Sequence, residues 1–181
     1  GDCLFPDPKL IENYQAAWQK LGRGIDVGLS WRSSAKVNGA ERSIPLEELR
    51  PLTHGKTARF HNLQYGELDV TAASRAFGAP LLTDPDSDPL TDLTRQAAQI
   101  AALDLVITID NATAHLAGAL GKPVWILLPK GSDFRWGTMV RPNELYPHQR
   151  LFRSGNAGDW SSALWSLFEA FQRFQPGTTT P

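Results

Sequence analysis

The chain has 181 residues, a formal net charge of -1 and 41% hydrophobic residues, which fits one globular domain and excludes a disordered composition. The near-neutral balance excludes a broad basic face for nucleic acid, leaving room only for a local basic pocket; no apolar run approaches the roughly 18 residues that span a membrane. The single cysteine, Cys3, excludes an internal disulfide framework and fits a reducing compartment, so the cytoplasm is the expected location; "GDCLFPDPKL" has no signal-peptide layout. Without an initiator Met, the chain is expected to be a processed or excised piece.

Helical and strand patterns alternate along the chain. "PKLIENYQAAWQKLG" places Leu10, Tyr14, Trp18 and Leu21 on one helical face, with Gly22 as the stop. "IDVGLSW" (Ile25 to Trp31) reads as a strand and leads into a polar loop, "RSSAKVNGAERS". "IPLEELRPL" reads as a short helix with Ser43 as its cap and Pro45 near its first turn. "ARFHNLQ" is a second strand, "APLLT" a weaker third and "DPDSDP" a loop. "LTDLTRQAAQIAALD" predicts a helix with Leu93, Ala97, Ile100 and Leu103 inward. "LVITI" is nearly continuous in apolar residues, as in a strand covered on both faces. The helix "NATAHLAGALG" and the strand "VWILLP" follow. "QRLFR" reads as a last strand, and Asp159 caps a final helix with Leu164, Leu167 (or Phe168), Phe171 and Phe174 on its apolar stripe. The tail, 176–181, is expected to be loose.

Repeated strand-helix units predict an α/β fold, a doubly wound, mainly parallel, Rossmann-like sheet with helices on both faces. Ligands of such sheets collect beyond the carboxyl ends of the strands, which directs attention to the loops after Trp31, Gln64 and Ile109.

At the third of these loops Asp110 ends the strand and Asn111 is a good N-cap, so Ala112, Thr113 and Ala114 fill the first helical turn. Their backbone N–H groups have no intrahelical partner and, with the helix dipole, suit an anion such as a phosphate or diphosphate. Thr113 adds a hydroxyl, and His115, four residues after Asn111, leans toward the same end. Ala114, Ala117, Gly118 and Ala119 let the helix lie close to the sheet, and Gly121 with Lys122-Pro123 ends it. Plain capping and a satisfied core histidine explain the same residues, and there is no glycine-rich dinucleotide fingerprint. In the first loop Ser33 and Ser34 suit phosphate oxygens, while Lys36 or Arg42 supplies charge, Arg42 in bidentate form; a solvated loop is the plainer alternative. After the second strand Gln64, Tyr65, Gly66 and Glu67 suit a base or ribose, or an ordinary turn. Trp18, Trp136, Trp160 and Trp165 read as packing residues before sugar platforms. His54, His61 and His148 lack ligand spacing, so no metal site is expected.

"VGLSW…RSIPLEEL", "LQYG", "DLTRQAAQIAALDLVITIDNATAHLAGALGKPVWILLP" and "DFRW…YPHQRLFR…GDW" resemble the carboxyl-terminal half of bacterial glycosyltransferases: heptosyltransferase-like enzymes and the glycosyltransferase-like domains that follow tetratricopeptide repeats. The resemblance runs from roughly Ile25 to Phe174, and the stretch from Asp110 through "AHLAGALGKPVW" is its most specific part. It implies the second, donor-binding Rossmann-like domain of a two-domain GT-B enzyme. Such an enzyme transfers a hexosyl or heptosyl group from a nucleotide-diphosphate sugar without a metal or other cofactor. By that resemblance Ser33, Ser34 and Arg42 match a phosphate-contacting loop, and Asp110 and His115 match the donor motif. Arg42 and His115 are expected to stabilise the leaving group, and Thr91 and Asp92 to line the nucleoside side. The family's usual Thr or Ser after the Asp is here Asn111. By the resemblance, the acceptor-activating base is expected to come from an amino-terminal half outside this chain. Residues 1–24 are therefore expected to be an interdomain connection, 25–175 the nucleotide-sugar-binding domain, and the isolated domain is expected to bind but not turn over. A non-catalytic nucleotide-binding or regulatory module is one rival. A sugar-nucleotide epimerase is another, for which Glu67 and Asp133 are the loop carboxylates beyond Asp110.

Overall fold

The computed structural model describes residues 5–87, 91–132, 134–137, 146 and 148–177; Cys3 and Asp133 lie outside them. Six strands form one sheet: β1 (Ile25–Ser30), β2 (Ala58–Asn62), β3 (Leu81–Leu82), β4 (Leu105–Ile109), β5 (Val124–Leu128) and β6 (Gln149–Arg153). Their order across the sheet is β3-β2-β1-β4-β5-β6, and every pairing is parallel. The chain winds outward from β1 to β3, then crosses back to lay β4 on the other side of β1. The carboxyl ends of β1 and β4 therefore flank the point where the winding direction reverses, the place where open α/β sheets receive ligands. This is the predicted doubly wound, Rossmann-like α/β architecture.

Alternate residues of the strands feed two cores, as the twofold side-chain period demands. One face carries Val27, Leu29, Phe60, Leu105, Ile107, Ile109, Trp125, Leu127 and Phe152. Helix α3 (Val70–Phe77), helix α6 (Ser161–Arg173) and a 3-10 helix over Leu46–Thr53 cover this face. The other face carries Val106, Val124, Ile126 and Leu128, under α1 (Pro8–Gln19), α4 (Leu93–Ala102) and α5 (Ala112–Ala119). Because β4 and β5 lie mid-sheet with helices on both sides, all ten of their residues are buried; hence their unbroken apolar runs. Gly121 takes φ 67° immediately past α5, a left-handed turn that stops the helix where the sequence places its end.

The structure corrects several local expectations. Leu21 lies beyond the end of α1 and is 59% exposed, and Leu93, the first residue of α4, is 58% exposed. Ser43 does not cap the helix after the first loop; Pro45 occupies that position. That helix is 3-10, because Leu46, Leu49 and Leu52 are all buried at a spacing of three, the period of that helix. Helix α3 is absent from the sequence reading, although Asp69 caps it by accepting from Ala72 N at 2.9 Å and Gly78 ends it at φ 88°. The first loop also contains one helical turn, α2 (Gly39–Arg42). Trp160, not Asp159, holds the cap position of α6; Asp159 acts one residue upstream, accepting from Ser161 N at 3.0 Å. Trp18 and Trp160 are core residues, whereas Trp165 is 68% exposed.

Helix α1 is stitched to the sheet by polar groups. Trp18 packs against His61 with ring centroids 4.0 Å apart and planes tilted by 41°. His61 Nε2 lies 2.8 Å from Asp26 Oδ1, and Arg59 grips both oxygens of the same carboxylate at 2.7 and 2.6 Å. Burial opposes ionisation of Asp26, but the bonds from Arg59 and His61 outweigh it and hold its carboxyl below the usual range. Nearer the β3 edge, Tyr14 donates its hydroxyl to Asp84, which Arg95 also holds at 3.0 Å. Among the described residues no helix is long and apolar enough to cross a membrane.

Candidate functional site

Asn111 organises the reversal point. Its backbone is extended, its Oδ1 accepts from Ala114 N at 3.3 Å, and Thr108 Oγ1 lies 3.0 Å away. Its Nδ2 donates to Ser30 Oγ at 2.8 Å, bonding the end of β1 to the start of α5. Ala114 N also approaches the Asn111 carbonyl at 3.2 Å, so of the three predicted first-turn amides, Ala114's is spent on the cap. The amides of Ala112 and Thr113 precede any intrahelical acceptor, and Ala112 is exposed at the mouth. Thr113 is buried, and its Oγ1 has no hydrogen-bond partner among the described residues.

The loop after β1 folds back on itself. Ile44 N donates to Trp31 O at 2.9 Å, while Ser43 Oγ accepts from Ser33 N at 3.0 Å and donates to Gly39 O at 2.8 Å. This closure turns α2 toward β4 and brings Arg42 Nη1 to 3.5 Å from Asp110 Oδ2, with the carboxylate only 4% exposed and the guanidinium 27%. The other oxygen, Asp110 Oδ1, accepts from Trp136 Nε1 at 2.7 Å. Trp136 is wholly buried, and its ring stacks on His115, with centroids 4.7 Å apart and planes 18° from parallel. His115 Nδ1 lies 3.2 Å from Tyr146 Oη. The Tyr146 ring lies over Gly118, where a Cβ would come within 2.5 Å of it; only glycine admits this approach. Arg42, Asp110, Trp136 and His115 thus form one connected group beside the first turn of α5.

The remaining predicted residues divide. Ser33 is half-buried and its Oγ accepts from Ala35 N at 3.3 Å; Ser34 and Lys36 are exposed on the same loop. Gln64 is buried and its amide is committed to the backbone: Oε1 accepts from Trp31 N and Arg32 N at 3.2 and 2.9 Å, and Nε2 donates to Arg32 O at 3.0 Å. It fixes the exit of β1. Tyr65 is half-buried and Gly66 exposed. Gly66 and Glu67 line a cleft of about 440 Å³ beyond β2, bounded on its far side by Thr83, Asp84 and Pro85. Thr91 and Asp92 are exposed, and Asp92 caps α4 through a 2.9 Å bond from Arg95 N; the cleft lining does not include them.

Sequence reasoning missed Tyr146 and Arg153 as site residues and ranked packing ahead of a site role for Trp136. Arg153 Nη2 donates to the carbonyls of Trp136 and Gly137, each at 2.8 Å, and Nη1 donates to Ser132 Oγ at 2.7 Å; burial pulls its pKa down. The available signal was the indole N–H of a tryptophan after a polar loop, a donor that burial obliges to find a partner. Among the described residues no three His, Cys, Asp or Glu side chains gather as a metal cluster.

No family model matches the chain. It is 36% identical over 175 residues to Protein FlbA of Caulobacter vibrioides, a match covering 94% of this chain and 29% of FlbA; the chain thus spans under a third of that relative's length. Solved structures share its fold, among them the following three. The glycosyl transferase family 9 structure from Veillonella parvula DSM 2008 superposes with a TM-score of 0.60 at 14% identity, covering 96% of this chain and 47% of that one. The E. coli heptosyltransferase WaaC, solved with ADP, gives 0.59 at 18% identity over 82% of this chain and 44% of its own. E. coli ADP-heptose lps heptosyltransferase II gives 0.61 at 15% identity over 94% and 53%. At these identities the likeness is one of fold: the Rossmann-like half of GT-B glycosyltransferases.

Proposed function

We propose that this chain is the donor-binding half of a metal-independent glycosyltransferase, taking a nucleotide-diphosphate sugar at the first turn of α5. The observation that carries the reading is the gathering of Arg42, paired with Asp110, and His115, joined to Asp110 through the Trp136 ring, at the reversal point of the sheet. The unpartnered hydroxyl of Thr113, buried in that same turn, supports it. Transfer of a glycosyl group builds negative charge on the departing diphosphate. The free amides of Ala112 and Thr113, the helix dipole and the Arg42 guanidinium are the groups that stabilise such charge. His115 contributes a polar ring beside them, and the cleft beyond β2 is of a size for the nucleoside. The acceptor and the base that activates it belong to a second domain, preceded in the full protein by tetratricopeptide repeats.

A second reading is a nucleotide-binding module without transfer. It is favoured by Asp110, whose two oxygens are already engaged by Trp136 and Arg42.

Titration of the folded chain with UDP, ADP, GDP and their sugars tests the first claim, binding. One nucleotide is expected to bind, and to bind more weakly in Arg42→Ala and His115→Ala. Silence toward all of them from a folded sample overturns both readings. A turnover assay on the full-length protein then separates transfer from binding alone.

A further inference from the structure

We propose that Trp136 is a positioning residue of this site, holding Asp110 so that Arg42 stays available to the ligand; the inference rests on the nucleotide-binding reading above. A tryptophan buried only for packing needs some acceptor for its N–H, and any backbone carbonyl suffices. Trp136 instead donates to the carboxylate at the head of α5, at 2.7 Å, and lays its ring on the histidine one turn further along. Its own backbone is fixed by Arg153, which grips the carbonyls of Trp136 and Gly137 from the end of β6. The indole is therefore a rigid strut between β6 and the mouth of α5.

The consequence lies in how Asp110 divides its oxygens. Oδ1 is occupied by the indole N–H, and Oδ2 alone faces Arg42, at 3.5 Å. That distance is an ion pair and not a tight hydrogen bond. With the indole N–H removed, both oxygens are free to meet the guanidinium as a two-pronged pair at shorter range. Arg42 is then drawn onto Asp110 and away from a phosphate at Ala112 and Thr113. Trp136 thus prevents the site's own carboxylate from capturing its cation.

The test is a double-mutant cycle read by nucleotide titration with UDP, ADP and GDP. Trp136→Phe keeps an aromatic ring against His115 but lacks the N–H. It is expected to weaken the bound nucleotide about tenfold, the scale of one hydrogen bond to a charged group. In an Arg42→Ala background the same substitution is expected to change nothing further, because the residue through which it acts is gone. A purely structural tryptophan predicts the opposite: equal weakening in both backgrounds. Should Trp136→Phe fail to fold, benzothienylalanine at position 136 keeps the bicyclic ring and lacks only the N–H. Undiminished affinity in either folded variant, or full weakening that persists without Arg42, overturns the proposal while leaving the binding reading intact. A wild-type chain that binds none of the three nucleotides overturns both.

Discussion

Asn111 and Ser30 meet at 2.8 Å across the reversal point of the sheet, amide to hydroxyl. The side chain that caps α5 is therefore also the tie between the first and fourth strands. A Thr or Ser, the residue usual in the family that this chain resembles, caps the helix as well but has no amide donor to offer Ser30. The departure at position 111 has a local physical meaning: one amide serves three partners where a hydroxyl serves fewer.

Asn111→Ala is accordingly expected to cost more than an ordinary cap. The cap itself is worth about 1 kcal/mol, and two buried hydroxyls, on Ser30 and Thr108, lose a partner, bringing the total to roughly 2–3 kcal/mol. Asn111→Ser should restore the cap share alone. Urea denaturation of the two variants checks the ranking; equal losses refute the tie to β1.

Much of this was legible in the sequence for reasons that can be stated. β4 and β5 are marked by unbroken apolar runs because both faces are covered, and α5 by Asn111 and Gly121 because caps are chemical necessities. Counting strand-helix units directed attention to the loops after Trp31, Gln64 and Ile109; the strand order then set the reversal point between the first and third. Illegible were the features set by distant partners. Nothing near Trp136 in the sequence indicates that its N–H meets Asp110. Nothing near Gln64 indicates that its amide serves the backbone of Trp31 and Arg32. Leu21 and Leu93 fit the helical period, but the helices end too soon or start too late to turn them inward. Helix α3 carries both a cap, Asp69, and a terminal glycine, Gly78, so its ends are written in the local chemistry.

Gly118→Ala should act on His115 from a turn away. The new Cβ meets the Tyr146 ring at 2.5 Å, so the tyrosine must leave its seat and its hydroxyl must leave His115 Nδ1. A destabilisation of about 1–3 kcal/mol is expected from overpacking. Adding Tyr146→Ala should then remove most of the penalty of the new methyl group. Melting temperatures of the single and double variants measure this; a Gly118→Ala chain as stable as the parent contradicts the described packing.

Acid sensitivity should reside in Asp26 and Asp84. Burial raises the pKa of Asp26, but Arg59 and His61 more than offset it; burial likewise opposes Arg95 and Tyr14 at Asp84, and the net direction is downward at both. A carboxyl depressed in the folded state adds stability that is complete above its unfolded pKa and lost as pH falls through the folded value. Stability is therefore expected to be flat near neutrality and to decline from about pH 5 downward. Asp26→Asn and Asp84→Asn should each be less stable than the parent at neutral pH, with a shallower decline in acid. Urea midpoints across that range report it, and parallel curves for parent and variants argue against the assignment.

Thr113→Val separates architecture from function in one substitution. Among the described residues the buried Thr113 hydroxyl has no partner, a cost of about 1–3 kcal/mol that a valine of nearly the same shape does not incur. The variant is therefore expected to be more stable than the parent in the absence of ligand. A hydroxyl kept at that cost and turned to a phosphate oxygen predicts weaker nucleotide binding in the same variant, by about tenfold. Calorimetric melting and nucleotide titration of one sample read the two effects together. Opposite signs, with stability up and affinity down, mark a residue retained for its ligand. A gain in stability with unchanged affinity assigns the hydroxyl no part in binding, and leaves the mouth of α5 to its amides and Arg42.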